Sequence, residues 1–185
     1  MPPLIASASV ALSALAFMLV FYLNQLLFGF LSLSGGFTWL FLPCGVSLLI
    51  VVLCGGWGAL GIVLGSLIST QGFTVEFSVS NVGACILSGV TPWLGALFSI
   101  RAMGLKDSLA NLTPTSLLKI GFVCAAATAL SLEFWLALNG YSVHFFEALS
   151  SRMVGNILGT LAVLYAIKAA FAIGGRISRT NFLAP

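Results

Sequence analysis

Residues 37–69 read FTWLFLPCGVSLLIVVLCGGWGALGIVLGSLIS, a run without a single charged side chain. At about 1.5 Å of rise per helical residue it would reach roughly 50 Å. That is too long for one crossing of a hydrocarbon core of about 30 Å and slightly short for two full ones. The sequence Cys54-Gly55-Gly56-Trp57-Gly58 interrupts it near the middle. Glycine supplies backbone conformations that other residues avoid. The run is therefore expected to form two short helices, 37–53 and 57–69, joined at Gly55 and Gly56. A re-entrant hairpin is the alternative, and both arrangements return the chain to the side it came from.

The rest of the chain is built the same way. Of its 185 residues 60% are hydrophobic and 6% charged, and the mean hydropathy is +1.16. A soluble domain carries roughly 25% charged residues, so this chain cannot cover a water-facing surface. In lipid every backbone polar group must be satisfied internally, which leaves helices or a closed barrel. A barrel would show segments of about ten residues alternating apolar and polar. The continuous runs of about twenty apolar residues are instead those of spanning helices. The expectation is an all-α, polytopic integral membrane bundle: a single transmembrane domain over 1–185, about six helices and short loops.

The other helices are expected at 4–33, 79–100, 117–138 and 152–173. No Lys or Arg precedes the first run, and it is too long for a cleavable signal, so it is expected to remain as a span. Pro92 should kink the 79–100 helix, and Thr115 or Ser116 should cap the start of 117–138. Phe145 and Phe146 are expected at the lipid boundary. With six crossings, Arg101, Lys106, Lys119, Lys168, Arg176 and Arg179 fall on one side, while Glu76, His144, Glu147 and Arg152 fall on the other. The excess of basic residues on cytoplasmic loops then places both termini in the cytoplasm, in a bacterial-type cytoplasmic membrane.

A charge inside the membrane costs roughly 2.5–3.5 kcal/mol on insertion scales, so each needs a reason. Glu133 and Arg152 lie at the same depth on helices joined by a short loop, and an ion pair would satisfy both. Such a pair either belongs to a ligand or proton site or fixes how two helices dock. Arg152, Asn156 and Thr160 recur at four-residue spacing on one helix face, which could line a polar pocket. Asn24 and Gln25 form a further polar pair in the first helix and can hydrogen-bond to a neighbour. Gly61 with Gly65, and Gly155 with Gly159, are spaced for close helix approach. Lys119 and Lys168 can snorkel to the interface. The four cysteines form no CxxC pair and there is one histidine, so neither a metal site nor a disulfide framework is expected. No phosphate-binding loop, HExxH, GxSxG or acidic cluster is present. An enzyme is therefore the least supported class, no cofactor is called for, and a net charge of +3 does not point to nucleic acid.

Two stretches resemble a family. Phe41-Leu42-Pro43-Cys44-Gly45-Val46, followed by 53–65 (LCGGWGALGIVLG), is similar to the Pro- and Gly-bearing region of MASE-type membrane-associated sensor domains. Arg152-Met153-Val154-Gly155-Asn156-Ile157-Leu158-Gly159-Thr160 is similar to a late segment of the same family, with Asn156 where the family carries an acidic residue. The resemblance covers about a quarter of the chain. It implies a bacterial membrane-embedded sensory module acting through a signalling partner. Pro43, Gly45, Gly155, Asn156 and Gly159 are its motif positions, chiefly structural. The family typically has about eight spans, so this chain would be a shortened or stand-alone version.

Three function classes follow. The first is the sensory or regulatory module, working through a ligand-biased rearrangement of its helices. The second is a small-solute, vitamin-like binding component of a transporter, similar in size and span count to the substrate-binding subunits of energy-coupling-factor transporters. The third is a membrane scaffold or assembly subunit. All three live in the bilayer with a protein partner, and the first two also take a small-molecule ligand.

Overall fold

The computed structural model describes residues 2–33, 37–71, 79–104, 113–141 and 144–181; for 31–33, 37–38, 71 and 172–181 it describes the backbone only. Glu76 and Lys106, whose sides of the membrane were assigned above, lie outside the described residues, as do the side chains of Arg176 and Arg179. Five helices carry the fold: α1 Pro3–Phe28, α2 Leu42–Gln71, α3 Val79–Ala102, α4 Pro114–Leu138 and α5 Phe145–Asn181. Among the described residues these five are long and apolar enough to cross a bilayer. The chain is a multi-pass helical membrane bundle, and its outward side chains agree. Leu4, Leu12, Leu15, Leu19 and Leu26 of α1 are all exposed, as lipid rather than water requires.

The helix boundaries differ from those expected in three places. First, α1 stops at Phe28, after which one 3-10 turn leads into an antiparallel strand pair, β1 Ser32–Leu33 with β2 Phe37–Thr38. Helices through 33 and from 37 are thus replaced by a short hairpin. A brief apolar run reads alike as helix or strand by hydropathy, and only the Gly-Gly between these two hinted at a turn. Second, α4 begins at Pro114, and its cap is Thr113 rather than Thr115 or Ser116: the Thr113 hydroxyl accepts the Ser116 N–H at 3.2 Å. Proline suits the first helical position because its missing N–H would have gone unused there. Third, α5 already includes Phe145, and Phe146 is one of its most exposed side chains.

Residues 37–69, where two helices joined at Gly55 and Gly56 were expected, form α2, whose two helical arms meet at a break at Gly55 (φ 58°, ψ −137°). That φ is open to glycine and strained for other residues. The break is sharp. A Cβ on Gly58 would sit 2.8 Å from the carbonyl of Ile50, although eight residues of straight helix rise about 12 Å. Contacts with α1 fix the direction of each arm. Asn24 Oδ1 accepts the Leu42 N–H at 2.9 Å where the first arm begins. On the second arm Gly61 meets Val10 and Ser13, and one turn later Gly65 meets Ala14 and Phe17. The second arm therefore runs parallel to α1, back toward the level from which the first arm came. Helix α2 is a hairpin whose turn lies at the end of the bundle where α1 starts.

From there α3, α4 and α5 alternate in direction. Thr91 hydrogen-bonds Ser131 at 3.0 Å, Trp135 Nε1 donates to the Ser80 carbonyl at 2.9 Å, and Asn156 Nδ2 donates to the Ala125 carbonyl at 3.3 Å. Such interhelical bonds and small-residue contacts hold helices together in lipid, where no hydrophobic force favours helix over lipid tail. Phe17, Leu48, Val51, Ala59, Ile62, Ala96, Ile120 and Cys124 form the apolar core. It occupies the half of the bundle nearer the N-terminus and the Gly55 turn.

Candidate functional site

The opposite half encloses a cavity of about 290 Å³, at the lower end of the range of small-molecule sites, about 300–1,000 Å³. Each helix gives it one face. Helix α1 supplies Phe17, Phe21 and Gln25, and Phe41 stands just before α2. The first arm of α2 adds Cys44 and Ser47, and the second adds Ser66 and Thr70. Helix α3 supplies Asn81, Cys85, Ser88 and Pro92, α4 Thr128 and Leu132, and α5 Arg152 and Asn156. Within each helix these positions repeat at three- and four-residue spacing, the spacing of a single face. The hairpin explains why both arms reach the same space: Ser47 and Ser66 lie on either side of the Gly55 turn.

The hydroxyl groups of the lining have a definite sense. Ser47 donates its hydroxyl proton to the Pro43 carbonyl at 2.8 Å, and Thr70 donates to Ser66 at 2.8 Å. Ser88 donates to Cys85 at 2.7 Å, and Thr128 to Cys124 at 2.7 Å. In lipid a hydroxyl without a polar neighbour turns to its own helix, and once its proton is committed its oxygen can only accept. Pro92 contributes in the same direction, because its missing N–H leaves the Ser88 carbonyl without a helical donor. These hydroxyls thus offer acceptors, while Gln25, Asn81 and Arg152 bring N–H groups to the same wall, set among the rings of Phe17, Phe21 and Phe41.

Charge enters at one point. Arg152 Nε lies 3.3 Å from Glu133 Oε2, with the Arg152 side chain 18% exposed and Glu133 1%. The pairing expected from shared depth is present, and it bridges α4 and α5. Arg152 lines the cavity while Glu133 stands behind it, so the cation that reaches the wall is balanced by a carboxylate directly behind it.

The other sequence-selected residues divide. Asn156 and Gln25 join Arg152 on the cavity wall. Thr160 does not: it is buried one turn deeper, with its methyl 3.0 Å from where a Gly121 Cβ would lie. Asn24 is 1% exposed and spends its oxygen on the start of α2, a structural task. Gly61 and Gly65 pack α2 on α1, and Gly56 faces Trp93. The two motif stretches meet one another directly. The Phe41 N–H donates to the Gly155 carbonyl at 3.1 Å, a side chain on Gly159 would run into the Phe41 carbonyl, and one on Gly45 would lie 2.9 Å from the Gly159 carbonyl. Pro43 is fully buried at this junction.

Sequence reading missed Phe17, Phe21, Phe41, Ser47, Ser66, Ser88 and Asn81. A signal existed in Asn81, Cys85, Ser88 and Pro92 at i, i+4, i+7 and i+11, a polar and small stripe on an otherwise apolar helix. Among the described residues no grouping of three metal-ligating side chains occurs. Comparison with family models, curated proteins and solved structures found no match. The functional reading therefore rests on the cavity itself and on the residues quoted for the MASE-type resemblance.

Proposed function

We propose that the chain is a membrane-embedded sensory or regulatory module, of the kind its two motif stretches resemble, that binds a small polar solute and acts through a partner protein. The observation that carries this reading is the cavity lined by every helix in the half that holds the Glu133–Arg152 pair. Hydroxyl acceptors beside the N–H groups of Gln25, Asn81 and Arg152 favour a solute that both donates and accepts hydrogen bonds. The neutral pair favours an uncharged or zwitterionic one, and the phenylalanines accommodate an apolar part. In this reading the two arms of α2 each cross most of the bilayer, giving six passes. Both termini and the 101–116 connection are cytoplasmic by the excess of basic residues there, and the cavity faces outward. Helix α5 runs from the cavity wall at Arg152 to Asn181. That stretch, about 45 Å at 1.5 Å per residue, exceeds what a crossing needs and suits it to carry a change at the site to a cytoplasmic partner.

The second reading is a solute-binding subunit of a transporter, favoured by the same cavity above a packed apolar floor. One experiment separates them. The purified chain in lipid nanodiscs is screened by thermal shift against neutral polyols and amides, amines, zwitterions and carboxylates. Label distances between Leu53 and Tyr165 are then measured with the best solute. Saturation at a hundred times Kd adds about 2.7 kcal/mol of stability. A stabilising solute that also changes the distance supports sensing. One that stabilises without such a change, and is taken up into vesicles with a co-purifying ATPase, replaces it with transport. Absence of any stabilising solute removes the cavity as the functional site.

A further inference from the structure

A second concavity lies on the outside of the bundle at the opposite end. The last turns of α3 and the first turns of α4 enclose a groove of about 520 Å³, walled by Phe98, Met103, Leu118 and Phe122, with Ser99 and Lys119 also lining it. Its lining is almost wholly apolar, and its one charged member is a lysine. Arg101, exposed and outside the lining itself, belongs to the same last turn of α3 at the headgroup end of the groove. The described carboxylates, Glu133 and Glu147, belong to the other end of the bundle, so no described acid answers these two cations. The Ser99 hydroxyl, on a residue 4% exposed, has no partner among the described residues.

We infer that this groove is a binding site for an anionic glycerophospholipid, with an acyl chain between Phe98 and Phe122 and the phosphate held by Lys119 and Arg101. Any acyl chain would fill an apolar groove in a bilayer. Headgroup selection is what the two cations add, since each lysine or arginine near an anionic lipid surface contributes about 1 kcal/mol. The position fits: Lys119 lies little more than one turn inside the start of α4, from which its stem can carry the ammonium to the headgroup level.

The test uses the full chain in mild detergent, given equal amounts of phosphatidylglycerol and phosphatidylethanolamine with identical acyl chains, and native mass spectrometry of the retained lipid. The expected result is roughly tenfold enrichment of phosphatidylglycerol, falling to about parity in Lys119→Ala/Arg101→Ala and kept in Lys119→Arg. Val123→Phe, which narrows the groove without changing charge, should lower retention of both lipids. Equal retention by the unaltered chain would overturn the inference. So would a preference that survives the double substitution, which would assign it to the basic C-terminal region instead. Retention untouched by Val123→Phe would overturn the acyl-chain placement.

Discussion

The two halves of this bundle are held together by different means. In the half with the ion pair, the inward-facing groups are polar. Asn24, Glu133 and Asn156 are buried with hydrogen-bond or ionic partners, and four hydroxyls are turned to their own helices around a cavity. In the half with the Gly55 turn, Leu48, Val51, Ile62, Ala96 and Ile120 pack against one another, and Gly61, Gly65 and Gly89 bring backbones into contact. Lipid tails are as apolar as leucine, so burying leucine gains little for a helix already inserted. Close packing and polar bonds must do what hydrophobic burial does in water. The difference teaches where function can reside: the packed half fixes the shape, and the polar half keeps an open space.

The sharpest way to break this contrast is Arg152→Ala. It would leave Glu133, 1% exposed, charged without its cation, at a cost of about 3–5 kcal/mol. Folded yield and melting temperature in detergent should both fall. Adding Glu133→Gln should recover much of the loss, because it removes the stranded charge. An unchanged melting temperature in the single variant would remove the pair from the account of stability.

On the packed side, Leu48→Ala opens a void among side chains that are themselves buried. The transfer part of the usual penalty is reduced in lipid, which leaves mainly the cavity part, about 2 kcal/mol. If Leu48→Ala proved as mild as a substitution in the cavity wall, the packed half would not be packed in the sense argued here.

Gly55→Ala distinguishes strain from crowding. Nothing lies within 4 Å of the position its Cβ would take, yet φ is 58°. The expected loss is about 1–2 kcal/mol, from conformation alone. A neutral result, read by the same thermal denaturation, would mean that the α2 turn adopts another geometry.

The smallest effect on stability is expected from Ser88→Ala, within about 0.5 kcal/mol, since the hydroxyl bonds only its own helix. Its effect should appear in solute binding, as a weaker thermal shift. A large loss of stability without solute would make Ser88 part of the scaffold rather than of the site.

The ion pair was legible in the sequence because charge is rare in this chain: two charged residues at equal depth on consecutive helices have few other partners. The cavity was less legible, because serine, threonine and cysteine are common in membrane helices and usually mean packing. Asn156 and Thr160 show the limit. They share a helix face, yet one turn of depth separates a cavity wall from a packed contact with Gly121.

By itself, the sequence determined the solvent of this protein, its helical class and the pairing of Glu133 with Arg152. Hydropathy and the price of intramembrane charge leave little choice in those matters. Only the tertiary structure decided that residues 32–33 pair with 37–38 as strands, and which face of each helix turns inward. Lipid and protein interior are equally apolar, so a helix that is apolar all round carries no mark of inside and outside. That information exists only in the contacts between helices.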